Sequence, residues 1–399
     1  MKILVLNCGS SSIKYKLFEM NSREVVAQGG IEKIGLNGSF LKLKQANGES
    51  VILEESIPEH TKGIKFILDT LVSSEYGCLA SLDEISAVGH RVVHGGEKFN
   101  ASVLITDEVI KEVEECSDLA PLHNPANLKG IHTIAKVLPK VPQVAVFDTA
   151  FHQTMPDYAY MYAIPYELYE QYGVRRYGFH GTSHRYVAKR VCEFLDTAVE
   201  GKRIITCHIG NGGSITAVKD GKSMDTSMGL TPVEGLMMGT RSGDVDAGVL
   251  TFLMDKEHLD SQGISDLVNK QSGLMGVSGV SSDMREIDAA IESGNERAKL
   301  AQEMYFYRVV KYIGSYVAAL GGVDIIVFTG GVGENQASFR SSVCKNFGYL
   351  GLHIDEEING RVRGEEALIS TADSKVKVAV IPTDEEYMIA SDTRSILGL

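Results

Sequence analysis

Leu6-Asn-Cys-Gly-Ser-Ser-Ser-Ile-Lys14 and His208-Ile-Gly-Asn-Gly-Gly-Ser-Ile-Thr216 are two faintly similar stretches of this sequence, and their shared pattern indicates how the chain folds. In each, an apolar strand leads through a turn of glycine and small polar residues into a second strand with alternating apolar positions. Ile13 corresponds to Ile215, 202 positions later and about half of the 399-residue chain. A repeat at half length predicts two similar domains with their hairpin turns face to face across a cleft. Coincidence is the alternative, because Gly/Ser turns between strands are common.

Short Val- and Ile-rich runs elsewhere predict further strands, each followed by a glycine, asparagine or aspartate turn. Near-continuous apolar strands are typical of sheets covered on both faces by helices, which indicates the α/β class. Apolar positions three and four residues apart predict a helix over residues 298–320, ended by Gly321-Gly322. The predicted strands are Ile3–Leu6, Ala87–Val93, Val144–Phe147, Ile204–Ile209 and Val323–Phe328.

The composition is that of a folded globular protein, with 44% hydrophobic and 23% charged residues and a formal net charge of −13. This negative charge argues against a nucleic acid or an anionic membrane surface as a partner. The strongest apolar runs have the length of strands, the N-terminus lacks the apolar core of a signal peptide, and the six cysteines form no Cys-x-x-Cys pair. Together these features predict a cytoplasmic protein with reduced thiols.

Three loops rich in glycine or small polar residues follow predicted strands, at residues 7–14, 208–214 and 329–335. Backbone N–H groups in such turns cradle phosphate oxygens, and Lys14 adds a positive charge to the first loop. None of the loops completes a Gly-x-Gly-x-x-Gly motif, and the one Gly-Lys-Ser, at 221–223, has Thr216 where a Walker A loop needs glycine. A single loop of this kind is weak evidence, but three favour binding of the phosphates and ribose of a nucleotide.

Two arginines lie within apolar or glycine-dense segments. Arg91 is in Gly89-His-Arg-Val-Val-His-Gly95, and Arg241 is in Met238-Gly-Thr-Arg-Ser-Gly-Asp-Val-Asp246. Burying a guanidinium without a partner is costly, and its planar fork matches carboxylate and phosphate groups. A structural ion pair is the alternative at either position.

Acidic and histidine side chains provide further candidates. Asp148 directly follows a predicted strand, where α/β sheets bind ligands. The group Asp384-Glu-Glu386 is either a source of oxygen ligands for magnesium or an acidic first turn of a helix. His180 and His184, spaced i and i+4, leave zinc as a weaker alternative, because no carboxylate follows the His-Glu-x-x-His pattern.

At these residues the sequence closely resembles the acetate kinase family. The matching motifs occur in order between residue 3 and about residue 390, so that essentially the whole chain is covered, and together they are highly specific. The motifs are Asn7–Lys14, Gly89–Gly96, Phe147–His152, Tyr177–His184, His208–Gly212, Gly239–Asp244, Ser282–Arg285 and Gly330–Asn335.

The resemblance implies a duplicated actin-like ATPase fold of the α/β class, with two related domains around a nucleotide cleft. We expect the first domain to span residues 1–150, joined by the C-terminal segment from about 384 to 399, and the second to span 151–383. The implied reaction is reversible in-line transfer of the γ-phosphoryl group of ATP to acetate, giving acetyl phosphate and ADP. It implies magnesium as the metal, with manganese as a substitute, and a homodimer as the assembly.

Catalytic roles are also implied by the resemblance. Arg91 resembles the ligand of the substrate carboxylate and of the acyl phosphate, and His180 and Arg241 resemble transition-state stabilisers. Asp148 resembles the acid–base residue of the family. Because acetate is already ionised at pH 7, Asp148 is instead expected to orient Arg91 or a water bound to magnesium.

Binding roles are implied in the same way. Asn7 and Glu385 resemble the magnesium-site residues, with the neighbouring Glu386 as the alternative. The implied contacts of the ATP phosphates are Lys14, His208, Ile209, Gly210, Asn211 and Gly212. The implied contacts of the adenosine are Asp283, Met284, Arg285, Gly331, Val332, Gly333, Glu334 and Asn335. The implied apolar pocket for the methyl group of acetate consists of Val93, Leu122, Phe179 and Pro232.

Two other functions compete with this one. The first is a kinase of the same family that acts on propionate or butyrate, and the second is a non-enzymatic ATP clamp of the Hsp70 or actin type. A clamp needs no arginine pair beside the γ-phosphate, so Arg91 and Arg241 favour an enzyme. The motif Thr383-Asp-Glu-Glu386 departs from the expected Thr-Asn-Glu-Glu next to the implied metal ligand, which bears on magnesium affinity.

Overall fold

The computed structural model describes residues 1–44, 48–121 and 123–399, and the chain divides into two compact units. Unit 1 comprises Met1–Gln153 together with Asp384–Leu399, and unit 2 comprises Thr154–Thr383. Each unit has its own mixed β-sheet with helices packed on it.

Unit 1 contains, within the described residues, eight strands, three α-helices and a C-terminal helix. The strands are β1 (Lys2–Cys8), β2 (Ile13–Glu19), β3 (Glu24–Glu32), β4 (Phe40–Lys44), β5 (Ser50–Glu54), β6 (Ile85–Val92), β7 (Val103–Leu104) and β8 (Gln143–Phe147). The helices are α1 (His60–Leu71), α2 (Asp107–Glu115), α3 (Asn124–Val137) and the C-terminal helix (Glu385–Leu397).

The sheet of unit 1 has the strand order β5-β4-β3-β2-β1-β6-β8-β7. β1 and β2 form an antiparallel hairpin, and β6 and β8 extend the sheet parallel to β1. One face packs against α1 and α3, and the other packs against the C-terminal helix through Ile389 and Ala390. The carboxyl ends of β1, β6 and β8 therefore lie at one edge of this sheet.

Gly89 in β6 allows the C-terminal helix to approach the sheet closely. A Cβ atom at this position would lie 2.6 Å from both Ile389 Cγ2 and Thr393 Oγ1. Any larger residue would therefore displace the helix, and Glu385 at its first position would move with it.

Unit 2 contains, within the described residues, six strands and eleven α-helices. The strands are β9 (Arg203–Ile209), β10 (Gly213–Lys219), β11 (Lys222–Thr226), β12 (Ile325–Thr329), β13 (Ala367–Leu368) and β14 (Lys377–Val380). The helices are α4 (Asp157–Tyr160), α5 (Glu167–Tyr172), α6 (Gly181–Phe194), α7 (Ala247–Glu257), α8 (Ser261–Lys270), α9 (Gly273–Ser278), α10 (Met284–Glu292), α11 (Glu296–Leu320), α12 (Gly330–Asn335), α13 (Ala337–Cys344) and α14 (Glu356–Arg361).

The two sheets share their central topology. Unit 2 has the strand order β11-β10-β9-β12-β14-β13, in which β9 and β10 form an antiparallel hairpin and β12 and β14 run parallel to β9. The series β3-β2-β1-β6-β8 of unit 1 has the same arrangement. The two stretches that resemble each other in the sequence form the hairpins β1–β2 and β9–β10, which supports a duplication.

The predicted elements agree with the structure apart from their ends. The long helix α11 begins at Glu296, two residues before the predicted start, because Asn295 Oδ1 accepts a hydrogen bond from Ala298 N at 3.0 Å. It ends at Leu320, where Gly321 has a φ of 70°. The strand predicted from Val323 begins at Ile325. Within the described residues, none of the helices combines the length and the apolar character that crossing a lipid bilayer requires.

Candidate active site

Arg91 and Asp148 form an ion pair at the carboxyl edge of the unit 1 sheet. Arg91 lies near the end of β6, and Asp148 directly follows the parallel strand β8. Arg91 Nε donates to Asp148 Oδ1 at 3.0 Å, and Arg91 Nη2 donates to Oδ2 at 2.5 Å. Asp148 is 1% exposed, whereas the Arg91 side chain is 25% exposed. Burial alone would lower the pKa of Arg91, but the attraction of the Asp148 carboxylate outweighs this effect and raises the pKa, so Arg91 remains charged.

Two oxygen-bearing side chains lie beside this pair. Arg91 Nη1 donates to Asn7 Oδ1, near the end of β1, at 3.4 Å. The pKa of Glu385 is raised to about 7, mainly because the side chain is buried. The neighbouring carboxylates also raise this pKa, whereas the positive charges of Arg91 and Lys14 lower it. Asn7, Arg91, Asp148 and Glu385 therefore form one cluster in unit 1, in which two carboxyl groups lie near one guanidinium.

Glu386 differs from Glu385 in its contacts. Lys16 Nζ donates to Glu386 Oε2 at 3.1 Å and lies 3.6 Å from Asp384 Oδ1. Asp384 also caps the C-terminal helix, because its Oδ1 accepts from Tyr387 N at 3.1 Å. Glu386 and Asp384 are thus held by Lys16, whereas Glu385 faces Arg91.

The residues predicted to surround the methyl group are divided between the units. Val93 is 7% exposed and directly follows β6, where its backbone N–H donates to Asn127 Oδ1 at 3.1 Å. Phe179, which is 3% exposed, and the half-buried Pro232 belong to unit 2. Leu122 lies outside the described residues.

In unit 2, His180 precedes helix α6 in a strained backbone conformation, with a φ of 56°. Its ring stacks on that of His208, with centroids 4.2 Å apart and planes inclined by 24°. Each ring also contacts a serine: His180 Nδ1 lies 2.9 Å from Ser214 Oγ, and His208 Nδ1 lies 2.8 Å from Ser183 Oγ. The orientation of both imidazoles is therefore set by stacking and by a hydroxyl group.

His184 is not arranged as a metal ligand. Its Nδ1 lies 2.7 Å from Thr206 Oγ1, and its Nε2 lies 2.7 Å from Ser214 Oγ. Because both ring nitrogens already face hydroxyl groups, the zinc alternative is not supported. Across the described ranges of the chain, no group of three or more His, Cys, Asp or Glu side chains is placed to hold a metal ion.

Arg241 differs from Arg91 because it has no carboxylate partner within 4 Å among the described residues. Burial lowers its pKa, and Nη1 contacts only the sulfur of Met238, at 3.7 Å, as a hydrogen-bond acceptor in the described part of the chain. A Cβ atom on Gly212 would lie 3.4 Å from Arg241 Nη1 and 3.8 Å from His180 Cε1. Arg241 and His180 therefore approach the same glycine turn after β9, and an uncompensated guanidinium there attracts an anion.

The loop that carries Pro232 and Arg241 is held by residues that the sequence analysis missed. Glu234 accepts hydrogen bonds from Arg176 Nη2 at 2.6 Å and from the Tyr162 hydroxyl at 2.5 Å. At the far end of the loop, Asp244 Oδ2 accepts from the Tyr312 hydroxyl at 2.7 Å. No local motif relates these five residues, because they come from four separate parts of unit 2.

Unit 2 has a cavity of about 710 Å³, a usual size for a small-molecule site. Most of the residues predicted to bind the nucleotide line this cavity. The predicted residues that line it are Gly210, Asn211, Asp283, Met284, Arg285, Gly331, Val332 and Asn335. The lining residues that the sequence analysis missed are Leu274, Ser282, Asp288, Tyr305, Gln336 and Arg363.

Five predicted nucleotide contacts in unit 2 lie outside this cavity, namely His208, Ile209, Gly212, Gly333 and Glu334. Lys14 belongs to unit 1. Ile209 is fully buried in the core. Glu334 Oε1 accepts from Gly330 N at 2.8 Å and from Thr383 N at 3.2 Å. Glu334 thus braces the loop after β12 through its carboxylate.

Comparison with known proteins shows the family of this chain. A model of the acetokinase family matches residues 2–391. The chain belongs to the acetokinase family. It is 71% identical over 397 residues to an acetate kinase of Bacteroides thetaiotaomicron, with 100% of each chain covered.

Solved structures of the family have the same fold. The crystal structure of Porphyromonas gingivalis acetate kinase matches with a TM-score of 0.97 and 63% identity, over 99% of each chain. A propionate kinase from Francisella tularensis matches with a TM-score of 0.92 and 42% identity, also over 99% of each chain. The family predicted from the motifs and the duplicated actin-like fold of this acetokinase are therefore confirmed.

One pair of missed residues had a detectable signal. Asn124 and Asn127 lie on a buried face of α3, although asparagine is usually exposed. Asn127 Nδ2 donates to Cys8 O at 2.7 Å, and Asn124 Nδ2 donates to His94 O at 2.9 Å. Together with the bond to Val93 N, these contacts hold the ends of β1 and β6. The segment Asn124-Pro-Ala-Asn127 could have been singled out as two polar residues on an apolar helix face.

Proposed function

We propose that this protein is an acetate kinase, which transfers the γ-phosphoryl group of ATP reversibly to acetate and forms acetyl phosphate and ADP. The family match over residues 2–391 supports the reaction. The structural observation that carries the proposal is Arg241, a partly buried guanidinium with no carboxylate partner among the described residues, next to His180. Such a group is suited to the charge of a phosphoryl group in transfer.

Arg91 binds the carboxylate of acetate in this proposal. Two of its nitrogens are occupied by Asp148, which leaves Nη1 for an incoming oxygen in place of the long contact to Asn7. Acetate at neutral pH has no proton for a base to remove, so Asp148 is a positioning residue that fixes the Arg91 fork. Of the residues expected to surround the methyl group, Val93 lies two positions after Arg91 in unit 1 and is the one we propose to contact it.

His180 and Arg241 stabilise the transferring group. In phosphoryl transfer the charge spreads over three equatorial oxygens, and catalysis depends on positioned donors and cations. The ring of His180 and the Arg241 guanidinium, which has no carboxylate partner in the described part of the chain, supply two of these. Neither has to reorganise during the reaction.

ATP occupies the cavity of unit 2. Its volume of about 710 Å³ suits a nucleoside, and its lining includes Asp283, Met284 and Arg285 together with Gly331, Val332 and Asn335. The turn His208–Gly212 and Lys14 contact the phosphates through backbone N–H groups and a positive charge.

Magnesium is the proposed metal, with manganese as a substitute. Asn7 and Glu385 offer the hard oxygen ligands that magnesium prefers, and water and phosphate oxygens complete the coordination. Their surroundings fit a cation, because burial and neighbouring carboxylates raise the pKa of Glu385 to about 7, and a bound cation would stabilise its carboxylate. When bound, the ion would neutralise part of the negative charge of the phosphate groups. We assign the ligand to Glu385 because Glu386 is held by Lys16.

We also propose a homodimer in the cytoplasm. Helix α7 has the apolar sequence Ala-Gly-Val-Leu-Thr-Phe-Leu-Met, but none of its residues is buried, and Phe252 is 58% exposed. A second copy of this chain would cover such a face. Light scattering tests this proposal: the wild type should be dimeric and Phe252→Glu monomeric. All six cysteines are free, as expected in a reducing compartment.

A hydroxylamine trap for acyl phosphate tests the function directly. With ATP, magnesium and acetate, the protein should produce acetyl hydroxamate. Absence of product with every short carboxylate, despite ATP binding, would instead support the nucleotide clamp. A higher rate with propionate than with acetate would make the protein a propionate kinase, like its relative from Francisella tularensis.

A further inference from the structure

A chain of hydrogen-bonding groups runs from the interior of unit 2 to His180. His180 Nδ1 lies 2.9 Å from Ser214 Oγ, and Ser214 Oγ lies 2.7 Å from His184 Nε2. His184 Nδ1 lies 2.7 Å from Thr206 Oγ1. Ser214, His184 and Thr206 are each 0% exposed, whereas His180 is half-buried. One end of the chain is therefore buried in β9, and the other end reaches the candidate site.

The buried end determines the direction of the hydrogen bonds. The Thr206 hydroxyl has one proton, and its one partner among the described residues is His184 Nδ1. If His184 donated to Thr206, the Thr206 proton would have no acceptor in a position without access to water. A buried donor without a partner costs its full desolvation penalty. Thr206 therefore donates to His184 Nδ1.

This direction fixes the tautomer of each ring in turn. A neutral imidazole carries one N–H group, so His184, which accepts at Nδ1, carries its proton on Nε2 and donates to Ser214 Oγ. Ser214 then uses its single proton to donate to His180 Nδ1. We propose that Thr206, His184 and Ser214 are positioning residues that hold neutral His180 as the tautomer with its proton on Nε2.

This inference rests on the proposed phosphoryl transfer, in which His180 faces negative oxygens. A Cβ atom on Gly212 would lie 3.9 Å from His180 Nε2 and 3.4 Å from Arg241 Nη1, so both groups approach the same turn. An N–H group at Nε2 donates to a phosphoryl oxygen, whereas the other tautomer would present a lone pair and repel it. Only one tautomer of neutral His180 is therefore productive.

The tautomers can be measured on the full-length enzyme without substrates. Magic-angle-spinning ¹⁵N spectra of histidine-labelled protein are recorded at about pH 9, well above the ordinary histidine pKa of about 6.5. Loss of a signal in His180→Gln and in His184→Gln assigns the two rings. Both should show an unprotonated Nδ1 and a protonated Nε2. A protonated Nδ1 on either neutral ring would overturn the proposal.

Variants test whether the buried hydroxyl sets the direction. In Thr206→Val, either direction of the hydrogen-bond chain leaves one polar group unpaired. The spectrum of His180 should therefore show both tautomers, and kcat should fall about 2-fold. Thr206→Ser keeps the hydroxyl group and should behave as the wild type. Thr216 is the matched control: it is also 0% exposed, lies opposite Thr206 in the sheet and bonds to Thr226 at 2.8 Å. Thr216→Val should leave the spectrum unchanged. A single tautomer in Thr206→Val, or the same mixture in Thr216→Val, would contradict the role of Thr206.

Ser214→Ala tests the direct contact. Without Ser214, His180 loses its partner at Nδ1, so kcat should fall about 10-fold or more with little change in KM, since the interaction is made in the transition state. An unchanged kcat would contradict the proposal. The spectra do not depend on turnover, so they distinguish a wrong tautomer assignment from a failure of the proposed acetate kinase activity.

Discussion

Arg241→Ala is expected to lower kcat by about 10³-fold, which corresponds to about 4 kcal/mol of lost transition-state stabilisation. The structure also predicts that the folded protein does not become less stable. Burial lowers the pKa of Arg241, which means that the folded environment disfavours its charge. Because no carboxylate of the described chain pairs with it, its removal leaves no buried charge without a partner.

Arg91→Ala provides the contrast. Its removal would leave the Asp148 carboxylate, which is 1% exposed, without the guanidinium that now holds it. Loss of one partner of a buried pair costs about 3–5 kcal/mol of stability. Arg91→Ala should therefore lose activity and stability together, and adding Asp148→Asn should restore part of the stability but not the activity.

The assay measures acetyl hydroxamate at saturating ATP and magnesium over a range of acetate concentrations, and urea unfolding of each variant is measured in parallel. Arg241→Lys serves as the control for charge, and it should recover little activity, because a point charge cannot contact two oxygens as a fork does. Turnover near that of the wild type in Arg241→Ala would refute the role of this guanidinium. A loss of stability as large as that of Arg91→Ala would refute the argument from its missing partner.

Three further expectations concern the metal, the substrate and pH. Glu385→Gln should raise the magnesium concentration for half-maximal rate by about 10-fold or more, and Glu386→Gln should raise it less. If Glu386→Gln has the larger effect, Glu386 is the magnesium ligand. Wild-type kcat/KM for propionate should be about 10-fold below that for acetate. Val93→Ala should reduce this difference by lowering the KM for propionate. An unchanged ratio of the two kcat/KM values would contradict the role of Val93 in the methyl pocket. Burial lowers the pKa of His90 to about 4, whereas the unfolded chain takes up this proton near pH 6.5, so stability is lost as the pH falls from about 7 to 4. Urea unfolding should show that His90→Gln removes about 3 kcal/mol of this acid-induced loss, and an unchanged loss in this variant would contradict the argument.

The sequence alone predicted the features that depend on neighbouring residues. The half-length repeat, the glycine turns and the apolar runs predicted the hairpins β1–β2 and β9–β10, and the motifs identified the family. Asp148 was recognised because it directly follows a strand, where α/β sheets bind ligands, and Arg91 because its segment is apolar and glycine-dense. Backbone hydrogen bonding and the alternation of side chains act over a few residues, so their signals are present in any short window.

Only the tertiary structure decided which side chains meet. Within the described residues, it showed that Arg91 has a carboxylate partner and Arg241 has none, and that Lys16 holds Glu386 but not Glu385. It also brought Thr206, His184 and Ser214 into one chain behind His180. A hydrogen bond requires two atoms about 3 Å apart with a suitable angle. That precision arises from the combined packing of strands and helices far apart in the chain, and so no local pattern in the sequence records it.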